Sequence, residues 1–249
     1  AGTLIHYNRT NWGPISSGTT YNLHGIWGSS PGNIYAVGDF GTVVNYTPPI
    51  TTPPSGTTND LYAVWGSSPS NIFAVGYAGT VIRYNGTTWG NMTSGTTYNL
   101  YAVWGSSPTN VYAVGAAGTI LHYTGSNWGP MTSGTLYDLS GVWGSSATDI
   151  YAVGASGTIL HYNGSTWDPV STGHPDNFWG VWGSSPTDVY AVGMLLYEML
   201  TGNLPFDAPS PRALFRAKTS EEPRPPSYYV EDFDPKLETL ILRAIERNP

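Results

Sequence analysis

Trp104-Gly105-Ser106-Ser107-Pro108-Thr109-Asn110-Val111-Tyr112-Ala113-Val114-Gly115 is the stretch on which the reading of this chain turns. Gly and Pro in its middle supply turn geometry, while aromatic and β-branched residues crowd both sides. The string therefore predicts a strand, a tight turn and a second strand. It recurs. Trp27, Trp65, Trp104, Trp143 and Trp182 each open Trp-Gly-Ser-Ser, and Gly38, Gly76, Gly115, Gly154 and Gly193 each close Ala-Val-Gly. Spacing in both series runs 38, 39, 39 and 39 residues.

Upstream, Leu100 to Trp104 is the body of the first strand. Downstream, two small residues between Gly115 and Gly118 mark a hairpin into a third strand, Thr119 to Tyr123. Thr124 to Asn127 is a further turn, and Trp128-Gly129-Pro130-Met131 a short outer strand, where Pro is tolerated at a sheet edge. Such a four-stranded unit has no interior of its own and must stack on copies of itself, which is the signature of a β-propeller blade. The strands lack strict polar alternation, as expected when neighbours cover both faces. The expected fold is mainly β: a β-propeller of about five four-stranded blades over residues 1–193, followed by a short α-helical tail over 194–249.

One copy departs from the pattern. Where another copy has Asn85-Gly86-Thr87-Thr88-Trp89, the copy opened by Trp27 carries Thr47-Pro48-Pro49-Ile50-Thr51-Thr52-Pro53-Pro54, with Ile50 in the place of the Trp. Proline cannot feed a ladder, so an extended, polyproline-like loop is expected instead of the outer strand. At the ends, Gly2 to Tyr7 matches a third strand and Trp12-Gly13-Pro14 a fourth, while Phe178 to Gly193 matches a first and second. Joined, they complete a mixed fifth blade and cover both open edges. A cut from a larger propeller fits equally, and a leader upstream of Ala1 is left open.

Charge divides the chain at the same place. Residues 1–193 hold two basic and seven acidic residues and all ten Trp, whereas 194–249 hold seven basic and nine acidic. Net charge is −7, with almost no Lys or Arg in the repeats, which argues against nucleic acid or an anionic membrane as partner. No apolar run is long enough for a membrane span. Zero Cys excludes disulfides and thiolate metal sites and leaves the redox compartment open.

Trp12, Trp89, Trp128 and Trp167 recur at one blade position. Two uses compete: packing of the outer strands, and a rim of rings that stack on sugars. His6, His122 and His161 share another position, but its remaining occupants are Asn45 and Arg83, so no metal ring is expected. Asn33, Asn71, Asn110, Asp149 and Asp188 precede the second strands, where their side chains are expected to bond their own turn backbone rather than hold calcium. The glycines fall at turns and not ahead of helices, and no catalytic constellation or cofactor site is read in the blades.

The segment Asp188-Val189-Tyr190-Ala191-Val192-Gly193-Met194-Leu195-Leu196-Tyr197-Glu198-Met199-Leu200-Thr201-Gly202-Asn203-Leu204-Pro205-Phe206 resembles the eukaryotic-type Ser/Thr protein kinases at the long helix of their C-terminal lobe. Leu237 to Pro249 resembles a later helix of that lobe. The resemblance implies structural roles for Asp188, Gly193, Glu198, Gly202 and Arg243, with Asp188 as the aspartate that braces the catalytic loop. The Gly-rich loop, strand Lys, His-Arg-Asp, Asp-Phe-Gly and Ala-Pro-Glu that kinase chemistry needs are all missing. Independently, Leu237, Leu240, Ile241, Ala244 and Ile245 form one helical apolar stripe. Residues 186–193 fit the blade and kinase patterns alike, so a chimeric join there is one reading, and a strand is expected over Val189 to Val192.

The expected function is a non-enzymatic interaction or ligand-sensing module with a protein or glycan ligand. Its Gly, Thr, Ser and Asn content and scarce charge resemble bacterial propeller repeats of surface and sensor proteins, exported or cell-surface. Alternatives are a remnant of a Ser/Thr kinase carrying a sensory propeller, and a carbohydrate-binding, lectin-like propeller.

Overall fold

The computed structural model describes residues 2–7, 10–46, 49–171, 177–183, 224–230, 238 and 242. Among them the strands form five antiparallel sheets, each in chain order. A hairpin of β1 (Thr3–Tyr7) and β2 (Trp12–Ser16) comes first, then blade 1 with β3 (Leu23–Ser30), β4 (Asn33–Gly38) and β5 (Val43–Tyr46). Blade 2 has β6 (Leu61–Ser68), β7 (Asn71–Gly76), β8 (Val81–Tyr84) and β9 (Trp89–Met92). Blade 3 has β10 (Leu100–Ser107), β11 (Asn110–Gly115), β12 (Ile120–Tyr123) and β13 (Trp128–Met131). Blade 4 has β14 (Leu139–Ser146), β15 (Asp149–Gly154), β16 (Ile159–Tyr162) and β17 (Trp167–Pro169).

First strands of successive blades touch one another, β3 on β6, β6 on β10 and β10 on β14, which puts them on the inside of an arc. They converge so closely that a Cβ on Gly25 would lie 3.0 Å from Ala63 Cα, and one on Gly141 would lie 3.0 Å from Gly180 Cα. Only Gly or Ala fits at this third place of a first strand. The hydrophobic cores lie between blades rather than within them. Along β7, Phe73 and Val75 enter a cluster with Leu100, Leu121 and Trp128 of blade 3, while Ile72 and Ala74 enter one with Tyr35 and Val37 of blade 1. Strand alternation thus sends successive residues into two different cores.

Close approach also explains both motif glycines. A Cβ on Gly38, Gly76, Gly115 or Gly154 would lie 1.9 Å from the carbonyl oxygen of Asn22, Asp60, Asn99 or Asp138 respectively. That carbonyl is held there by the next N–H along, as when Tyr77 N–H donates to Asp60 O at 2.8 Å. In Trp-Gly-Ser-Ser, the Trp of one blade lies on the Gly of the next: Trp27 on Gly66, Trp65 on Gly105 and Trp104 on Gly144, with 2.7–2.8 Å between the ring and a hypothetical Cβ.

The hairpins between second and third strands are two-residue type I′ turns, whose central residues both need positive φ. In blade 1 these are Phe40 at φ 53° and Gly41 at φ 68°. The turn leaves the N–H of its first central residue pointing at the following blade, where an Asx side chain takes it. Phe40 donates to Asp60 Oδ1 at 2.8 Å, Ala78 to Asn99 Oδ1 at 2.9 Å, Ala117 to Asp138 Oδ1 at 2.8 Å and Ser156 to Asn177 Oδ1 at 2.9 Å. Each of Asp60, Asn99 and Asp138 therefore bridges two blades, by its carbonyl to its own and by its side chain to the preceding one. Asn99→Ala is expected to cost about 1 kcal/mol in urea unfolding, the usual worth of one such bond, with Asn99→Asp retaining most of it.

Among the described residues blade 1 has no outer strand, as the prolines predict. One bridge remains, with Asn45 N–H donating to Thr51 O at 2.8 Å and Thr51 N–H to Asn45 O at 3.0 Å. The next hydrogen-bonding place, opposite Val43, falls on Pro53, which has no N–H to give. The same register sets Ile50 opposite Tyr46, as Trp89 faces Tyr84 in blade 2.

The expected mixed fifth blade is not formed among the described residues. The β1–β2 hairpin does take the place of an outer half-blade, since His6 stacks on Tyr46 at 6.3 Å. At the other end Phe178 is buried and donates its N–H to Gly154 O at 2.9 Å, but 177–183 contain no strand. Their expected hairpin partner, Val189 to Val192, lies outside the described residues. Ile26 on β3 is 63% exposed, against 8% for its equivalents Val64, Val103 and Val142, so among the described residues no inner strand covers that face of blade 1. Of the expected helical tail, Pro226–Tyr228 form a 3-10 turn and Glu238 and Leu242 are helical. Asp188, Gly193, Glu198, Gly202 and Arg243 lie outside the described residues, so the structure does not show the tail as a helical unit. No helix among the described residues is long and apolar enough to cross a membrane.

Candidate functional site

Because each blade runs up and down in order, the type I′ turns and the connections from a fourth strand to the next first strand share one face. That loop face gathers exposed rings: Tyr21, Phe40, Tyr77, Tyr98 and Tyr137 are each about half exposed or more. Tyr21 and Phe40 are 5.0 Å apart. On its inner side, the second residues of the first strands make a row, with His24 to Tyr62 and Tyr62 to Tyr101 each 6.0 Å between ring centres. Such stepping of one ring per blade needs the blades stacked, and is invisible in any single repeat.

Carboxylates punctuate the rings. His24 Nε2 lies 2.5 Å from Asp39 Oδ1, and this hydrogen bond, helped by Asn22, holds the Asp39 carboxyl below the usual carboxylate range. Burial, then the negative field of Asp60, pushes the Tyr62 phenol up, so it stays neutral at physiological pH. A groove of about 770 Å³ runs past Tyr21 and Phe40 between Pro53, Pro54 and the Thr19 and Thr57 loops. Aromatic faces beside carboxylates, with no Lys or Arg among the described residues of these loops, suit neutral or cationic groups of a partner.

A second cluster repeats inside blades 2, 3 and 4. The Asx before the second strand bonds a Ser of Trp-Gly-Ser-Ser on one side and the third-strand residue on the other, and does not close its own turn as expected. Asn110 Nδ2 donates to Ser106 Oγ at 2.7 Å and its Oδ1 faces His122 Nε2 at 2.5 Å. His122 therefore carries its proton on Nε2, and its ring stacks on Tyr112 at 4.4 Å and 9°. In blade 4 Ser145 Oγ donates to Asp149 Oδ2, and His161 Nε2 lies 2.7 Å from Asp149 Oδ1. Here the carboxylate lies between Ser and His, so the His does not reach the hydroxyl as a nucleophile's base must. In blade 2 Arg83 replaces the His: its Nε donates to Asn71 Oδ1 at 2.7 Å, its Nη1 to Tyr123 Oη at 3.2 Å, and its guanidinium lies over Phe73.

Burial gives these clusters a pH signature. Desolvation lowers the pKa of His122 and, first among its causes, pushes the Tyr112 phenol up to about 12. The folded state therefore binds His122's proton less readily than the unfolded chain, and stability is lost as pH falls below the ordinary imidazole range. Tyr112 acts at the other end: the unfolded phenol ionises first, so stability falls as pH rises above about 10. Urea midpoints across pH should show both slopes, with His122→Asn flattening the acid side and Tyr112→Phe the alkaline side.

Of the sequence-predicted rim aromatics, Trp89, Trp128 and Trp167 are only 6–8% exposed. Each ring fits between blades, against Tyr35, Phe73 and Tyr112 at 6.1, 5.9 and 6.2 Å. The structure uses them for packing, and their covered faces offer a sugar no stacking surface. Trp12 is on β2, with its side chain outside the described residues. His6, His122 and His161 fall one to a sheet, and among the described residues no three metal-ligating side chains gather. Sequence reasoning missed the inter-blade Asx series and the axial rings. Aligning the repeats would have found Asn22, Asp60, Asn99, Asp138 and Asn177 at constant spacing.

Solved β-propellers resemble this chain in fold. YCF48 from Cyanidioschyzon merolae superposes with a TM-score of 0.56 at 12% identity, covering 71% of this chain and 66% of that one. Sqt1 from Chaetomium thermophilum gives 0.58 at 15% identity, covering 73% and 56%. At such identities the likeness shows the fold alone, and no family model matches the chain. By sequence, a short stretch is similar to bacterial Ser/Thr protein kinases. It is 39% identical over 56 residues to PksC of Streptomyces coelicolor and 42% over 55 residues to PknB of Mycolicibacterium smegmatis. Each match covers 22% of this chain and about one tenth of the kinase. The chain is thus a β-propeller protein with a partial kinase likeness.

Proposed function

We propose that residues 1–193 form a non-catalytic interaction module that docks a polypeptide ligand on its loop face. The observation that carries this reading is the row of rings His24, Tyr62 and Tyr101 at the inner strands, flanked by exposed Tyr21, Phe40, Tyr77, Tyr98 and Tyr137. Interface cores favour aromatic residues presented on rigid elements, and here strands, type I′ turns and connections whose Tyr N–H groups bond Thr19, Thr96 and Thr135 hold them. Selection of peptides from a displayed library tests it. Enriched peptides should lose affinity at least ~10-fold, about 1.4 kcal/mol, when Tyr62 and Tyr101 are both changed to Ser in a protein whose circular dichroism is unchanged. Absence of enrichment, or affinity indifferent to both changes, overturns the assignment.

A second reading rests on the kinase likeness: the propeller senses, and a kinase lobe signals in the parent protein. This chain lacks the motifs for phosphoryl transfer, so it is read as non-enzymatic in either case. Amplifying genomic DNA across codons 180–200 separates a true fusion, which yields one continuous product, from a false join, which yields only the separate flanks. The lectin-like alternative draws no support from the buried Trp rings, and a glycan array that stays silent with folded protein removes it.

A further inference from the structure

We infer that the cavity at the outer edge of blade 1 receives a guanidinium group from outside the chain. The cavity measures about 380 Å³ and is walled by Tyr35, Tyr84 and Trp89, with Asn45, Thr51 and Pro53 completing it. That volume lies within the ~300–1,000 Å³ usual for ligand clefts. The repeat shows what the space is shaped for, because the chain fills the equivalent space in the other blades by itself. In blade 2 the occupant is Arg83, whose guanidinium lies 5.3 Å from the Phe73 ring centre and 5.8 Å from that of Tyr123. In blades 3 and 4 it is an imidazole, His122 on Tyr112 and His161 on Tyr151. Blade 1 has the shorter Asn45 at this place; Tyr35 and Trp89 are buried there, and Tyr84 is the ring left partly exposed.

Acceptors match as well. Arg83 donates to Tyr123 Oη and Asn71 Oδ1, and their equivalents are Tyr84 Oη and Asn33 Oδ1. Tyr84 spends its hydroxyl proton on Gly86 O, as Tyr123 does on Gly125 O, and the Tyr35 hydroxyl already bonds its phenolic oxygen, so at most one lone pair is left to accept. Asn33 Oδ1, which holds the place of Asn71 Oδ1 in the repeat, is buried without a partner, and Asn45 Nδ2 donates to Tyr35 Oη at 3.1 Å. Missing outer-strand pairing opens the approach, since beyond the Asn45–Thr51 bridge the strand stops at Pro53. A planar cation that stacks on a ring matches the chain's own occupant of this place in blade 2, and an ammonium does not. The net charge of −7 favours its approach. This site adjoins the loop-face groove, with which it shares Pro53, Pro54 and Gly56, but it uses none of the rings of the docking assignment above, so the two are tested separately.

Titration of the full chain, followed by the Trp indole N–H resonances, tests it with acetyl-Gly-Arg-Gly-amide, the Lys and citrulline versions, and agmatine. The arginine peptide should bind at least ~10-fold tighter than the citrulline peptide and shift the Trp89 signal, leaving Trp128 and Trp167 as internal controls. Asn45→Arg, which installs blade 2's own plug, should abolish the shift; Tyr84→Phe should leave binding in place, since the ring and the route remain, while Tyr84→Leu should remove it. Agmatine binding as tightly as the peptide marks a free guanidino compound as the source, and a tighter peptide marks a polypeptide arginine. Equal binding of citrulline, no binding by 10 mM (about the weakest range such a titration reads), or a Trp89 shift that survives in folded Asn45→Arg or Tyr84→Leu overturns the inference. Peptide selection on the loop face is unaffected by Asn45→Arg, so the two assignments fail separately.

Discussion

Gly115→Ala is expected to destabilise the protein by about 3 kcal/mol or more, while Gly129→Ala changes stability by no more than ~0.5 kcal/mol. Both glycines lie in strands and neither has positive φ, so backbone preference does not separate them. Space does. A Cβ on Gly115 would lie 1.9 Å from Asn99 O, a backbone atom pinned by the Ala116 N–H at 2.9 Å, whereas a Cβ on Gly129 meets nothing within 4 Å. To make room, Asn99 must move, and with it the side chain that holds the Ala78 turn of blade 2. One methyl group therefore disturbs two blades. Urea unfolding followed by Trp fluorescence measures it. A Gly115→Ala protein as stable as wild type would mean that this carbonyl is free to shift, and the explanation offered for the Ala-Val-Gly motif would be wrong.

The second large effect is at Phe73, where truncation to Ala should cost about 3–5 kcal/mol and Phe73→Leu less than half as much. Phe73 is fully buried between blades 2 and 3, with Tyr123 at 5.2 Å and Trp128 at 5.9 Å. It also underlies the Arg83 guanidinium, so Ala would leave a cavity beneath a cation that has lost one of its rings. Near-ultraviolet circular dichroism should fall with stability, because the lost ring couples to Tyr123 and Trp128. An effect confined to blade 2, with the Trp128 signal unchanged, would contradict a core shared between blades.

Much of the fold was legible because the repeat is itself a physical statement. Val111 to Val114 is apolar at every place, and a strand with two buried faces requires neighbours on both sides. The same holds for Thr47 to Pro54, whose prolines announced the missing outer strand. The place of the Trp rings was open, because a ring at a sheet edge looks alike in sequence whether a neighbouring blade covers it or solvent does. The inter-blade Asx bonds, the axial rings and the blade 1 cavity were not legible, since each joins residues about 20 to 40 places apart through stacking geometry.

By itself the sequence determined the repeated antiparallel units, four-stranded in blades 2, 3 and 4, with turns at the motif glycines, for local periodicity and turn chemistry act within one unit. Which residues meet across units was decided by the tertiary structure alone. It set a tryptophan on the next blade's glycine, an Asx side chain on the previous blade's turn, and Asn45 where its counterparts plug a cavity. The reason is that each blade has no core of its own, so its free energy and its surfaces exist only in the contact with the next.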